Sequence, residues 1–284
     1  VNDVVLYVEN DVNLEKNGNN PDTEASIYLR NNGQLIQGDD TAENKGDGML
    51  SVYQTIDSTS AFHYTYWSLP VGLSEGVGDG NTNGGLSRFY DCNDCDDTDT
   101  AATAVDSKAG NNGDSSTTPI TLSTKWIYKQ LSGPYFENAS SWTKVGGANT
   151  IEPGLGFTMK GVTNGPVSGN IHDTGNLVYE QTFDLRGRPK TGGISITMNP
   201  GDERILAGNP YPSVLDLRQL FMDNSTIQNF EFWDEPKDDE FSHYYRDKSG
   251  GYGTFSPMPP GGGTYVGPTF HNYYASGEEG NAGT

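Results

Sequence analysis

Asp79, Asn81 and Asn83 stand at alternate positions in the run Asp-Gly-Asn-Thr-Asn-Gly-Gly-Leu. That spacing suits calcium. Alternate side-chain oxygens and one backbone carbonyl, here that of Gly85, can converge while glycine lets the chain turn sharply. Leu86 supplies the apolar residue expected at the eighth position. The twelfth holds Tyr90 in place of a bidentate glutamate, and Asp91 falls one place late. Asp94, Asp96, Asp97 and Asp99 follow, and a cation among them would neutralise a run that otherwise repels itself. With few anionic ligands, the expected calcium affinity is that of extracellular modules, about 10⁻⁴–10⁻³ M. The bland alternative is a solvated Gly/Asn loop.

Cys92 and Cys95 sit inside this acidic run. The neighbouring anions disfavour the thiolate that redox catalysis needs. A short-range disulfide stiffening the loop is the better reading, with zinc on two thiolates behind it. His63, His172, His243 and His271 are scattered, and none forms a helical zinc pair. Neither a nucleophile elbow nor a phosphate-cradling loop appears. No catalytic residue is nominated, and a hydrolase with an unrecognised site ranks third among the functional readings. Trp126, Trp142 and Trp233 are the side chains that could stack on sugars, with core packing as the alternative for each.

These residues must be positioned by strands. Short β-prone runs recur between Gly, Asn, Asp and Pro: 4–8, 26–30, 50–55, 63–67, 125–130, 156–160, 177–183, 194–198, 204–207 and 229–233. Helical periodicity is confined to Ser213–Asp223, behind Pro212. The expectation is an all-β fold with one short helix and long loops: a sandwich or jelly roll, or a short β-solenoid plus sandwich. Residues 1–120 form an N-terminal β region, with an acidic Gly/Asp/Asn-rich loop or linker over 75–118. Residues 121–255 form a second β region, and 256–284 an irregular Gly/Pro/Tyr-rich tail. Tyr66 and Trp67 are expected to anchor a core.

The chain carries a net charge of −21, divided −15 over residues 1–122 and −6 over 123–284. Such a surface repels nucleic acid. No apolar run is long enough to span a bilayer, so no membrane insertion is expected. Val1 opens no signal peptide, and the chain reads as a mature product or an excised segment.

Residues 206–216 read Leu-Ala-Gly-Asn-Pro-Tyr-Pro-Ser-Val-Leu-Asp. This resembles the LxGNPYPSxxD signature of Bacteroidota secreted and cell-surface proteins exported by the type IX system. Further segments are similar to that family in the same order: residues 25–37 (ASIYLRNNGQLIQ), 64–71 (YTYWSLPV), 154–161 (GLGFTMKG) and 183–192 (FDLRGRPKTG). Phe232-Trp233-Asp234, Ser242-His243-Tyr244 and Gly250-Gly251-Tyr252 continue the series. The family's following strand and sorting domain are not matched. The resemblance implies an extracellular or surface location and a β-rich fold, but no reaction. It also implies O-glycans at Asp-Ser/Thr sites, for which Thr41, Ser58 and Thr100 qualify. The leading expectation is a non-enzymatic structural or adhesive module, a stalk, sheath or fibre subunit stabilised by calcium. A carbohydrate-binding module is the alternative. The partners would be copies of itself, joined through the edge of Val1–Val8, or surface glycans.

Overall fold

The computed structural model describes residues 1–18, 24–56, 60–92, 95–98, 100–130, 141–163, 180–198, 204–236, 242–243, 248–258, 262–273 and 279–282. The fold is all-β, with one short helix among the described residues. The central sheet is built on β16 (Gln181–Pro189), flanked by β4 (Leu50–Ile56) and β7 (Phe89–Cys92). β2 (Ile27–Leu29) extends it beyond β4, β8 (Ala102–Ala104) extends it beyond β7, and β6 (Val71–Gly72) pairs with the end of β16. A second, antiparallel sheet runs in the order β13 (Trp142–Lys144), β12 (Tyr128–Gln130), β14 (Phe157–Lys160), β5 (Tyr64–Trp67).

Three smaller sheets complete the chain. β1 (Val5–Val8) lies parallel to β3 (Gln34–Gln37). β15 (Val162–Thr163), β10 (Gly113–Asp114), β11 (Thr121–Ser123) and β9 (Asp106–Lys108) form another. The last joins β17 (Phe230–Asp234) to β18 (Ser249–Met258), with β19 (Gly262–Val266), β20 (His271–Tyr273) and β21 (Glu279–Ala282).

Four buried rings bind the two main sheets face to face. Trp67 lies edge-on to Phe89 at 5.4 Å and to Phe183 at 5.5 Å, and Phe89 meets Phe183 at 5.3 Å and Phe157 at 6.3 Å. Edge-to-face pairs of this kind add about 0.5–1.5 kcal/mol each beyond burial. The surrounding apolar cluster takes in Leu14, Leu50, Leu122, Met159 and Leu185, so one core spans both sides of residue 120. The expected boundary there does not divide the packing.

The segment 75–118, read as a linker or loop, carries a 3-10 turn (Leu86–Arg88) and strands β7 to β10. Polar composition hid them because they are short and pair with partners distant in sequence. The tail beyond residue 256 likewise holds the end of β18 and three more strands instead of being irregular. Residues 194–198 and 204–207 are not strands. Ile194 and Ile196 cover Gly154, and Ala207 makes a single bridge to Leu155, so neither segment has a ladder to extend. The run 125–130 is split by a 3-10 turn at Thr124–Trp126. Of 177–183, only 181–183 fall in β16, while 177–179 lie outside the described residues.

Helix α1 spans Leu217–Asp223, four residues later than Pro212 suggested. Asp216 is the reason: its carboxylate accepts from the backbone N–H of Arg218 and Gln219, an N-cap that Ser213 does not provide. The preceding turn braces itself, because Asn209 accepts from Tyr211 N–H at 3.1 Å and donates to the Ser213 carbonyl at 2.6 Å. Gly208 is needed for close approach, since a Cβ there would stand 2.4 Å from that of Ser68. The cis X-Pro bond among the described residues lies at Thr118–Pro119, outside this turn.

Candidate functional site

The calcium loop of the sequence is bound up with β16. Asn81 spends both amide atoms on the Thr191 backbone, donating at 2.7 Å and accepting at 3.0 Å. The Arg188 guanidinium, buried, donates to the carbonyls of Gly46 at 2.8 Å, Ser74 at 3.0 Å and Gly80 at 3.4 Å, and to that of Gly78. A cation does sit among the loop's oxygens, and the chain itself supplies it. Calcium centred on Asp79, Asn81, Asn83 and Gly85 would have to displace these bonds. The Asn83 carbonyl accepts from Leu73 N–H, and Gly85 packs on the Ala148 backbone.

Asp91 stands apart from that loop. It accepts from Ile120 N–H at 2.8 Å, and burial raises its pKa. Asp96 caps Thr98, Asp97 is exposed, and Asp94 and Asp99 lie outside the described residues. Among the described residues no group of three or more His, Cys, Asp or Glu side chains is placed to hold a metal ion. Cys92 and Cys95 form the expected disulfide. Thr41 and Thr100 are exposed, and Ser58 lies outside the described residues.

The structure brings residues of the segments 64–71, 154–161, 232–234 and 250–252 together at the outer face of the second sheet. Strand alternation does this. In β5 and β14 the register pairs Trp67 with Phe157 on the core side, and Tyr66 with Thr158 and Tyr64 with Lys160 on the outer side. Tyr128 and Lys144 continue the outer face through β12 and β13, as does Trp142 opposite Gln130. Tyr66 is therefore half-buried on this face, and only Trp67 of the expected pair anchors the core.

Rings from the C-terminal sheet lie over the same strands. Tyr66 stacks with Trp233 at 6.5 Å and meets Trp142 at 6.3 Å, and its hydroxyl bonds that of Tyr252 at 3.0 Å. Trp126, Trp142 and Trp233 are all half-buried, so each retains surface while packed on its neighbours. Trp126 stacks on His243 at 4.9 Å, and its Nε1–H donates to the Asn111 carbonyl.

Beneath the rings Lys160 is buried. Its ammonium lies 4.4 Å from the Tyr64 ring centre, 4.2 Å from that of Trp126 and 3.3 Å from His243 Nδ1. Lys248 donates to the Phe62 carbonyl at 2.7 Å and pairs with Glu235 at 3.5 Å. Burial, and then the charge of Lys248, hold the Lys160 pKa well below the ordinary lysine value, with Glu235 opposing. Burial, Lys160 and Lys248 depress His243 to about 3. Its Nε2 lies 2.5 Å from Asn112 Oδ1, an acceptor, so the neutral ring carries its proton there and accepts from Lys160 at Nδ1.

The sequence model of the family described as Domain of unknown function (DUF8693) matches residues 2–258. The chain belongs to that family. Neither a curated protein nor a solved structure matches it. The DUF8693 span takes in every residue of the aromatic face, from Tyr64 to Tyr252, and ends at the last residue of β18. Strands β19 to β21 lie beyond it.

The signal for this face was present in the alternation of Tyr64-Thr65-Tyr66-Trp67 and of Phe157-Thr158-Met159-Lys160. Which side was outward depended on Trp67 and Phe157 meeting Phe89 and Phe183, contacts no local pattern contains.

Proposed function

We propose that this chain is a non-enzymatic extracellular adhesive module that holds a carbohydrate chain against the row Trp142–Tyr66–Trp233. The observation that carries the reading is that row itself. Half-buried Trp142 and Tyr66 are neighbours on the outer face of the second sheet at 6.3 Å, and Trp233 of β17 stacks on Tyr66 at 6.5 Å. Aromatic rings offer sugars an apolar surface with little conformational entropy to lose. The ladder and the Tyr66–Tyr252 bond fix the row before any ligand arrives. The Cys92–Cys95 disulfide and the acidic surface suit an oxidising exterior. The reading is tested with a glycan array and titration of tryptophan emission, comparing the unaltered chain with Trp142→Ala and Tyr66→Ala. Binding that both variants weaken supports it. A folded chain that captures no glycan overturns it.

A structural role rests on a different observation. β1 pairs with β3 through one edge, and Val5 and Tyr7 on its outward face are 53% and 57% exposed. An edge strand with apolar side chains invites pairing with a second copy. Sedimentation at rising concentration tests this, and a monomer throughout removes it.

A further inference from the structure

The aromatic face differs in charge from the rest of the molecule. The chain as a whole carries −21. Among the described residues, Lys125, Lys144, Lys160, Lys248 and Arg204 lie around the rings, with Glu231 and Glu235 as ion-pair partners. Lys144 is exposed on β13 beside Tyr128, and Lys125 lies over Trp126 at 4.9 Å. Arg204 lies over Tyr252 at 5.6 Å and pairs with Glu231, as Lys248 pairs with Glu235. Those two carboxylates are each matched by one cation. Among the described residues, Lys125, Lys144 and Lys160 have no carboxylate within ion-pair distance.

Lys160 is the telling member. Its contacts are two ring faces and a neutral imidazole, and it is 2% exposed. Lys248 and Lys125 act against its charge and Glu235 favours it, so the three lysines face one carboxylate there, and a low-dielectric surround lets the net positive field reach the surface above. In a strongly acidic protein, a local cationic patch set among sugar-stacking rings is complementary to a ligand carrying both pyranose faces and negative charge.

We infer that the occupant of this face is an anionic polysaccharide, its rings on the Trp142–Tyr66–Trp233 row and its acidic groups over Lys144, Lys125 and the field of Lys160. The inference rests on the carbohydrate reading above and names the class of sugar. The anionic group can be a uronic carboxylate or a sulfate ester, since both offer oxygens to an ammonium. The arrival of an anion would also favour the charged form of Lys160, which burial now disfavours.

The experiment measures binding of the full chain to three probes by calorimetry: hexagalacturonic acid, a sulfated hexasaccharide and cellohexaose. Each is run in low and in high sodium chloride. The expected result is tight binding of one or both acidic probes, falling steeply with salt, and little binding of cellohexaose. Lys144→Gln, at an exposed strand position, should weaken the acidic probe by up to about fivefold, the upper end for an exposed charge pair. Lys160→Met replaces a buried ammonium by an apolar side chain of similar length, so the variant should fold and should flatten the salt dependence. Which acidic probe binds identifies the group. If cellohexaose binds as well as the acidic probes and salt has no effect, the inference falls and the carbohydrate reading stands. If none of the three binds, both fall.

Discussion

Asn81 clasps the backbone of Thr191, 110 residues away, with both atoms of its side-chain amide. This joins the Gly-rich loop to the strand that also sends Arg188 into it. Asn81→Ala removes a donor and an acceptor and strands two backbone groups, so unfolding in urea should show a loss of about 2 kcal/mol. Asn81→Asp is the sharper test. It adds a carboxylate, which would strengthen a calcium site, but it loses the donor to Thr191. The expected outcome is destabilisation that millimolar calcium does not reverse, and a melting temperature of the unaltered chain that a chelator does not move. Rescue by calcium would restore the metal reading of Asp79, Asn81 and Asn83.

Asp184 belongs to a buried ionic cluster with Arg30 and Arg186 on the outer face of β16. Its Oδ2 accepts from Arg186 at 2.8 and 3.0 Å and from Arg30 at 3.5 Å, while Oδ1 accepts from Ser51 at 2.6 Å. The guanidinium of Arg30 stacks on Tyr53 at 3.5 Å. Asp184→Asn keeps the shape and removes the charge that Arg186 and Arg30 both bond. A loss of about 3–5 kcal/mol is expected in chemical denaturation, the usual cost of breaking a buried pair from one side. A loss below about 1 kcal/mol would show that the two cations are carried by their other contacts, the tyrosine rings and backbone carbonyls among them.

Lys190 closes the same strand and gives a pH dependence. Its ammonium donates to the Leu69 carbonyl at 2.7 Å, and burial lowers its pKa to about 7. In the unfolded chain it titrates at the usual lysine value, near 10.4. Between these values the unfolded state binds more protons than the folded state, so the Lys190 contribution to stability rises with pH from about 7 to about 10.4. The slope is at most about 1.4 kcal/mol per pH unit. Urea midpoints at pH 7, 8 and 9, with Lys190→Met as control, measure it. The control should be flatter than the unaltered chain across that window. Equal slopes would mean that Lys190 keeps its proton when folded.

The strands at Val4–Val8, Leu50–Thr55 and Gly156–Lys160 were legible because each alternates or concentrates apolar residues between turn-formers. The short strands β8, β9 and β10 were not, since Ala102–Ala104, Asp106–Lys108 and Gly113–Asp114 carry no apolar pattern and are strands only through their partners. The charged face of β16 was hidden for a related reason. Asp184, Arg186 and Arg188 alternate along β16 and Lys190 follows it, and all four are buried. Their oxygen partners come from β4, the loop at Gly78–Gly80 and Leu69, which no local window contains. The calcium motif shows the same limit. It marked an oxygen-rich loop correctly but gave no sign that Arg188 would enter it.

His243 offers the last test, because its neighbours fix both its tautomer and its charge. Nδ1 faces the Lys160 ammonium, Nε2 faces Asn112 Oδ1, and the ring stacks on Trp126 at 4.9 Å and lies tilted against Phe62 at 4.8 Å. A proton on Nδ1 would have to point at a cation. Burial and that repulsion together place its pKa at about 3, against 6.5 for a free imidazole. Between these values the unfolded chain takes up a proton that the folded chain refuses. The His243 contribution to stability is therefore full above about pH 6.5 and falls steadily as the pH drops toward 3. Nitrogen-detected NMR should show one histidine neutral and Nε2-protonated from pH 8 down to 4.5, and its signals should vanish in His243→Gln. That variant can still accept from Lys160 and donate to Asn112, so it should fold and should lose the acid sensitivity that the unaltered chain shows below pH 6.5. A His243 signal that titrates near 6.5 would place Lys160 elsewhere and dissolve the cationic core of the aromatic face.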